Sequence, residues 1–193
     1  MLQRRGVEFM EHPSLEELVQ KFEAARKAGE RERGNPEQLR LHRELADECP
    51  AFTHNLLYLA RLQHLVDQAG RSAEEVLPEI QHLLESAVLG SYRSAPALLA
   101  LGNFLDTFQD DTPEAMKLYE EGEQKALATL ADAWFFKLRH WNLERTKESL
   151  EKALRLCALV ELLFPDPNVL LEGEIQTTKR YAVLEGLLPQ EDS

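Results

Sequence analysis

The sequence predicts an all-α protein, a right-handed stack of about four helical hairpins. Three observations carry that expectation. Nearly every segment spaces its apolar residues by three and four, and none sustains a period of two. Two leucine-rich segments repeat 42 positions apart: Leu56, Leu57, Leu59-Ala60, then Ala73 and Leu77, against Leu98, Leu99, Leu101-Gly102, then Ala115 and Tyr119. A fixed period of this size marks stacked helical units. Glycines, prolines and capping residues break the chain at helix-length intervals, and short connections force consecutive helices to pack antiparallel.

Each element has its own signals. Ser14 caps a first helix and Glu17 completes a capping box, with Leu15, Leu18, Val19, Phe22 and Ala25 as the apolar face and Gly29 as the stop. Pro36 suits the first turn of a second helix carrying Leu39, Leu41 and Leu45, which Pro50 ends. A third helix runs from Phe52 to Ala69, stopped by Gly70. Ser72 and Glu75 form a second capping box and open a helix to Gly90, in which Pro78 should kink the first turns or move the start later. Ser94 and Pro96 open the next, with Leu98, Leu99, Leu101, Leu105 and Phe108. Thr112-Pro113 is the strongest start signal. From Pro113 to Trp141 only Gly122 interrupts, leaving one long helix or two joined tightly. Asn142 or Thr146 caps a helix through Leu150, Leu154, Cys157 and Leu163, and Asp166-Pro167 starts a last one reaching about Leu187. Residues 1–13 read as a flexible N-terminus, 14–188 as a single helical-repeat domain and 189–193 as a loose tail.

Composition narrows the function. With 193 residues, 44% hydrophobic and 29% charged, the chain is globular rather than disordered. The formal charge of −12 argues against nucleic acid, which needs a basic face, and against anionic membrane surfaces. Residues 1–50 hold 9 basic and 11 acidic side chains, the remainder 13 and 23. The acid of the second part serves solubility first, and a basic partner could dock there. Cys49 and Cys157 lack metal or redox spacing and suit a reducing compartment. Met1 to Met10 carries Arg4 and Arg5 without a following apolar run, so no secretory signal is read and a cytoplasmic location is expected.

Around the two matched segments the chain resembles tetratricopeptide repeats. Leu98, Leu101-Gly102 and Leu105 match that family's first helix, and Ala115, Tyr119 and Gly122 its second. Leu56, Leu59-Ala60, Ala73, Leu77 and Ile80 fill the same places one unit earlier, with Pro50 where the preceding repeat's proline would fall. The small residues allow two helices to approach closely. The period of 42 exceeds the family's 34, and Trp134 to Leu138 does not align with the Leu-Gly pair. The resemblance implies a non-catalytic protein–protein interaction module that holds a peptide or helix of a partner in a concave groove, as adaptor, chaperone or toxin-neutralising partner. Its register puts His54, Leu57, Arg61 and His64, then Leu99, Asn103 and Asp106, on the concave face.

The residues suggest little chemistry of their own. Glu79 and His82 share a helical face, as di-iron bundles require, but no second Glu-x-x-His exists to complete such a site. A metal-binding bundle or enzyme using Glu79 and His82 is the rival reading, and a homo-oligomeric structural subunit a third. Ser149-x-x-Lys152 has the letters of a nucleophile pair without its companion motifs. No cofactor is expected. Trp134, Phe135, Phe136 and Trp141 form the densest aromatic cluster, read as core at a junction of helical units. Glu120, Glu121 and Glu123 read as a solvated face.

Overall fold

Eight helices and no strand occur among the described residues of the computed structural model, which are 13–65 and 71–189. The expectations for residues 1–12, for a stop at Gly70 and for the tail beyond Pro189 lie outside them. In chain order the helices are α1 (Leu15–Ala28), α2 (Pro36–Glu48), α3 (Thr53–Leu65), α4 (Ala73–Gly90), α5 (Ala95–Phe108), α6 (Thr112–Glu144), α7 (Lys147–Leu163) and α8 (Val169–Leu184).

The first helix starts as its sequence requires. The Ser14 hydroxyl accepts from the Glu17 N–H at 3.2 Å, and the Glu17 carboxylate accepts from the Ser14 N–H at 2.7 Å. Asn35 caps α2 through the Gln38 N–H, with Pro36 in the first turn where no N–H partner is needed. Other boundaries differ from their sequence signals in instructive ways. Ser72 sits at the cap of α4, but its side chain caps nothing; the Arg71 guanidinium instead holds Glu75 and Glu79 across the first turns. Pro78 lies inside α4 without displacing its start. At α6 the cap is Asp111, whose carboxylate accepts from the Glu114 N–H; the Thr112 hydroxyl donates to Asp106 instead. At α8 the cap is Asn168, two residues after Asp166. Thr146, not Asn142, caps α7, and it does so in a reciprocal pair with Ser149.

The segment after Pro113 is one helix of 33 residues, Thr112–Glu144. Contacts divide the chain inside it, into residues 1–122 and residues 123–193. In the first unit, α1 pairs with α2, α3 with α4, and α5 with the start of α6. Its core joins Leu56, Ala60, Ile80, Leu84, Ala97, Leu98, Phe104, Ala115 and Leu118. The repeat explains this core: Leu56 and Leu98 are both sealed inside, as are Ala60 and Gly102. The period breaks where the second helix of each unit opens. Ala115 is fully buried while Ala73 is exposed, because Ala73 is the first residue of its helix.

The second unit packs the rest of α6 on α7 and α8 through Ala131, Leu138, Ala153, Leu156, Cys157, Val160, Leu171 and Ile175. Trp134, Phe135 and Trp141 join this core half-buried, whereas Phe136 is 64% exposed. Asn142 is buried beside it. Its amide donates to the Glu174 backbone carbonyl and carboxylate, and its oxygen accepts from the Thr178 hydroxyl at 2.9 Å. Burial pushes the Cys157 thiol above its ordinary range, as expected of a structural rather than a reactive cysteine.

Candidate functional site

The close helix crossings of the first unit leave a gap between α3 and α5. Small residues set the spacing. A Cβ on Gly102 would lie 2.8 Å from the Tyr119 ring and 3.2 Å from the Ala115 carbonyl, so α5 rests directly on α6. Ala60 and Ala100 face the gap where larger side chains would close it. The result is a groove of about 620 Å³, lined along α3 by His54, Leu57, Tyr58, Arg61 and His64 and along α5 by Pro96, Ala100, Asn103 and Phe104. Ile80 and Leu84 of α4 form its floor. Grooves of this size and mainly apolar lining bury ligand surface efficiently.

Five of the seven residues expected on the concave face line this groove: His54, Leu57, Arg61, His64 and Asn103. Leu99 and Asp106 do not. The Leu99 side chain turns toward α6, where a Cβ on Gly122 would meet it at 3.2 Å. Asp106 holds the Thr112 hydroxyl at 2.8 Å and so belongs to the α5–α6 connection. The α5 stripe in the groove is Pro96, Ala100, Asn103 and Phe104, one residue round the helix from the expected one. Small Ala100 carried no distinguishing signal in the sequence. Tyr58 was equally missed, because it lies beside Leu57 on the same stripe.

The groove is electrically one-sided. Among its lining residues Arg61 is cationic, two are histidines and none is acidic. At its α1 end Phe22 meets His54 at 4.9 Å and Tyr58 at 5.8 Å, each edge-on. At the opposite end His64 packs edge-on against Phe108 at 4.6 Å. Behind Tyr58, His42 is fully buried, with its Nδ1 2.7 Å from the Asn55 side-chain oxygen and its Nε2 without a partner among the described residues. Burial holds its pKa below the ordinary imidazole value, Arg26 pushes the same way, and the Asn55 bond only partly opposes them.

The sequence profile of a Myxococcota tetratricopeptide repeat protein family matches residues 10–92. The chain is also 31% identical over 164 residues to the uncharacterized 18.1 kDa protein in the carS 3′ region of Myxococcus xanthus, covering 84% of this chain and 92% of that protein. The chain belongs to the Myxococcota tetratricopeptide repeat proteins. No solved structure matches it.

As a tetratricopeptide repeat protein it belongs to a class whose general business is protein–protein interaction, and the remaining polar motifs fit structural tasks. Glu79 is held by Arg71 at 2.8 Å, Gln63 at 2.6 Å and Arg43 at 3.2 Å, a link that ties α2, α3 and α4 together. Burial alone would raise the Glu79 pKa; the three donors outweigh it and hold the carboxyl below its ordinary value. No group of three metal-capable side chains occurs among the described residues. In this tetratricopeptide protein the Ser149 hydroxyl accepts from the Thr146 N–H at the α7 cap and donates to the Trp141 carbonyl, and Lys152 pairs with Glu148 at 2.7 Å. The acidic set on α6 is divided: Glu121 is held twofold by Arg93, at 2.7 and 2.5 Å, while Glu120 and Glu123 face solvent. Among the described residues no helix is long and apolar enough to cross a membrane.

Proposed function

We propose that this protein captures a segment of a partner protein in the groove between α3 and α5, without catalysing a reaction. The observation that carries the reading is the composition of the groove: an apolar floor of Ile80 and Leu84 with walls of Leu57, Ala100 and Phe104, rimmed by Arg61, Asn103 and two histidines. Apolar anchors of a helix or extended peptide would supply affinity on the floor, and the rim would fix its direction. With a cation and no carboxylate on the rim, the groove complements an apolar segment bearing an acidic group rather than a basic one. Adaptor, chaperone and toxin-neutralising roles all use this one act of capture.

The test is site-directed photo-crosslinking in the source cell. A photoreactive side chain at Asn103 should give an adduct with a partner, and one at Glu85, exposed on α4, should not. Widening the Ala100 side chain to Trp should abolish the Asn103 adduct. Equal adducts from both positions, or an adduct indifferent to Ala100→Trp, would sink the groove reading.

A further inference from the structure

The first unit holds a second cavity of about 760 Å³, and it shares one wall with the groove. That wall is Tyr58, which lines both. The second cavity lies between α1 and α3 and continues onto the loop after α1. Its charged lining is Arg26, Lys27, Arg31 and Arg33 against Glu23 and Glu30. This is a local excess of positive charge on a chain whose formal charge is −12. Arg26 lies 3.4 Å from Glu23, but Lys27, Arg31 and Arg33 make no ion pair among the described residues. Three free cations at a concave surface repel one another, an arrangement that an anionic occupant relieves.

The basin is also built rather than incidental. Gln38, buried under the loop, accepts from the Gly34 N–H at 2.7 Å. Gly34 has the left-handed φ of 76° that this turn needs. Asn35 donates to the Ala28 carbonyl at 2.7 Å and the Glu32 carbonyl at 3.0 Å. A Cβ on Gly29 would collide with Gln38 at 2.2 Å, so loop and helix are fitted to each other. The backbone that carries Arg31 and Arg33 is therefore fixed before anything binds, which lowers the ordering cost of binding.

We infer that the partner segment is bipartite: an apolar block in the α3–α5 groove, then, past Tyr58, a run of Asp or Glu seated in the basin of Lys27, Arg31 and Arg33. This rests on the groove reading and adds the chemistry of what continues from it. It reverses the expectation drawn from net charge, that the partner is basic. The acidic charge of the chain lies mainly beyond residue 50, whereas the charged lining of the basin lies before it.

The test uses the full chain and a displayed library of random peptides long enough to reach both cavities, selected at low salt. Enriched peptides should carry an apolar block followed by acidic residues. For the best of them, replacing the acids by Ser should weaken binding about tenfold in fluorescence anisotropy, since exposed ion pairs are individually modest. Raising the ionic strength from about 0.05 M to about 0.5 M should shrink that difference, because the Debye length falls from about 14 Å to about 4 Å. The double variant Arg31→Glu/Arg33→Glu should lose the preference for acids; circular dichroism would verify its fold, and the Ser-for-acid comparison on the unaltered protein stands apart from it. Enriched peptides that are apolar but neutral or basic would overturn the bipartite reading and leave the groove standing. Enrichment indifferent to Ala100→Trp would overturn both.

Discussion

Gly102 is where sequence repeat, helix packing and groove width meet, and its substitution tests all three. An added Cβ would lie 2.8 and 3.0 Å from two ring carbons of Tyr119 and 3.2 Å from the Ala115 carbonyl oxygen. The first two distances require movement of a half-buried ring, and the third presses on a helix backbone that cannot yield alone. Two effects compete. Replacing a helical glycine gains about 1 kcal/mol of backbone propensity. Overpacking a close crossing costs about 1–3 kcal/mol, and more for a side chain that must find room for four carbons. For Gly102→Leu the second effect wins, with a net loss of about 2 kcal/mol. Gly173 supplies the opposite case, since it is helical and exposed and a Cβ there would meet nothing within 4 Å. Gly173→Ala should therefore stabilise by about 0.5–1 kcal/mol. Urea unfolding followed by far-ultraviolet circular dichroism reads both as shifts of the unfolding midpoint. Pairing Gly102→Leu with Tyr119→Ala should recover part of the loss. A Gly102→Leu midpoint equal to or above that of the parent would refute the close crossing.

Three further outcomes are expected. Asn142→Ala should cost about 2 kcal/mol, because the Thr178 hydroxyl and Glu174 carbonyl lose a buried partner; an unchanged urea midpoint would contradict the network. Because His42 is harder to protonate folded than unfolded, the unfolded chain binds more protons below the ordinary value of 6.5, and the stability His42 confers above it is lost as pH falls toward the lowered folded pKa. His42→Gln should flatten this fall of the midpoint below about pH 6.5, and an equally steep fall in the variant would assign the effect to other groups. Arg61→Glu, at an exposed rim position, should weaken partner capture while shifting stability by no more than about 0.5 kcal/mol; undiminished capture would remove Arg61 from the groove's recognition.

Much of the fold was legible because helix signals are local. The Ser14–Glu17 box, the Pro36 start and the Leu101-Gly102 repeat each state their purpose within a few residues. What was misread involved choices between neighbouring candidates. Asp111 and Thr112 can both cap, and the choice was decided by Asp106 taking the Thr112 hydroxyl. Ser72 was displaced as a capping device by Arg71, whose reach to Glu79 spans two helical turns. Half of the groove was legible for the same reason: α3 presents a stripe fixed by its own leucines. The α5 stripe was off by one residue, since Leu99 and Ala100 are indistinguishable in an apolar helix until α6 is in place to take Leu99. The basin was not legible. Arg26, Lys27, Arg31 and Arg33 sit in an ordinary charged segment, and only the buried Gln38 fixes the loop that brings Arg31 and Arg33 to the cavity that Arg26 and Lys27 of α1 also line.

The placement of the aromatic residues gives the molecule a built-in optical division. Both tryptophans of the chain, Trp134 and Trp141, pack on the core of residues 123–193, and no indole lines the groove or the basin. Intrinsic indole emission therefore reports the packing of the second unit's core, and the groove between α3 and α5 offers a peptide Tyr58 but no indole. A titration that shows no change in tryptophan fluorescence is the expected signature of binding at this groove, not evidence against it. Tyr58→Trp would install a reporter on the wall that the two cavities share, read against Trp134 and Trp141 as an internal standard.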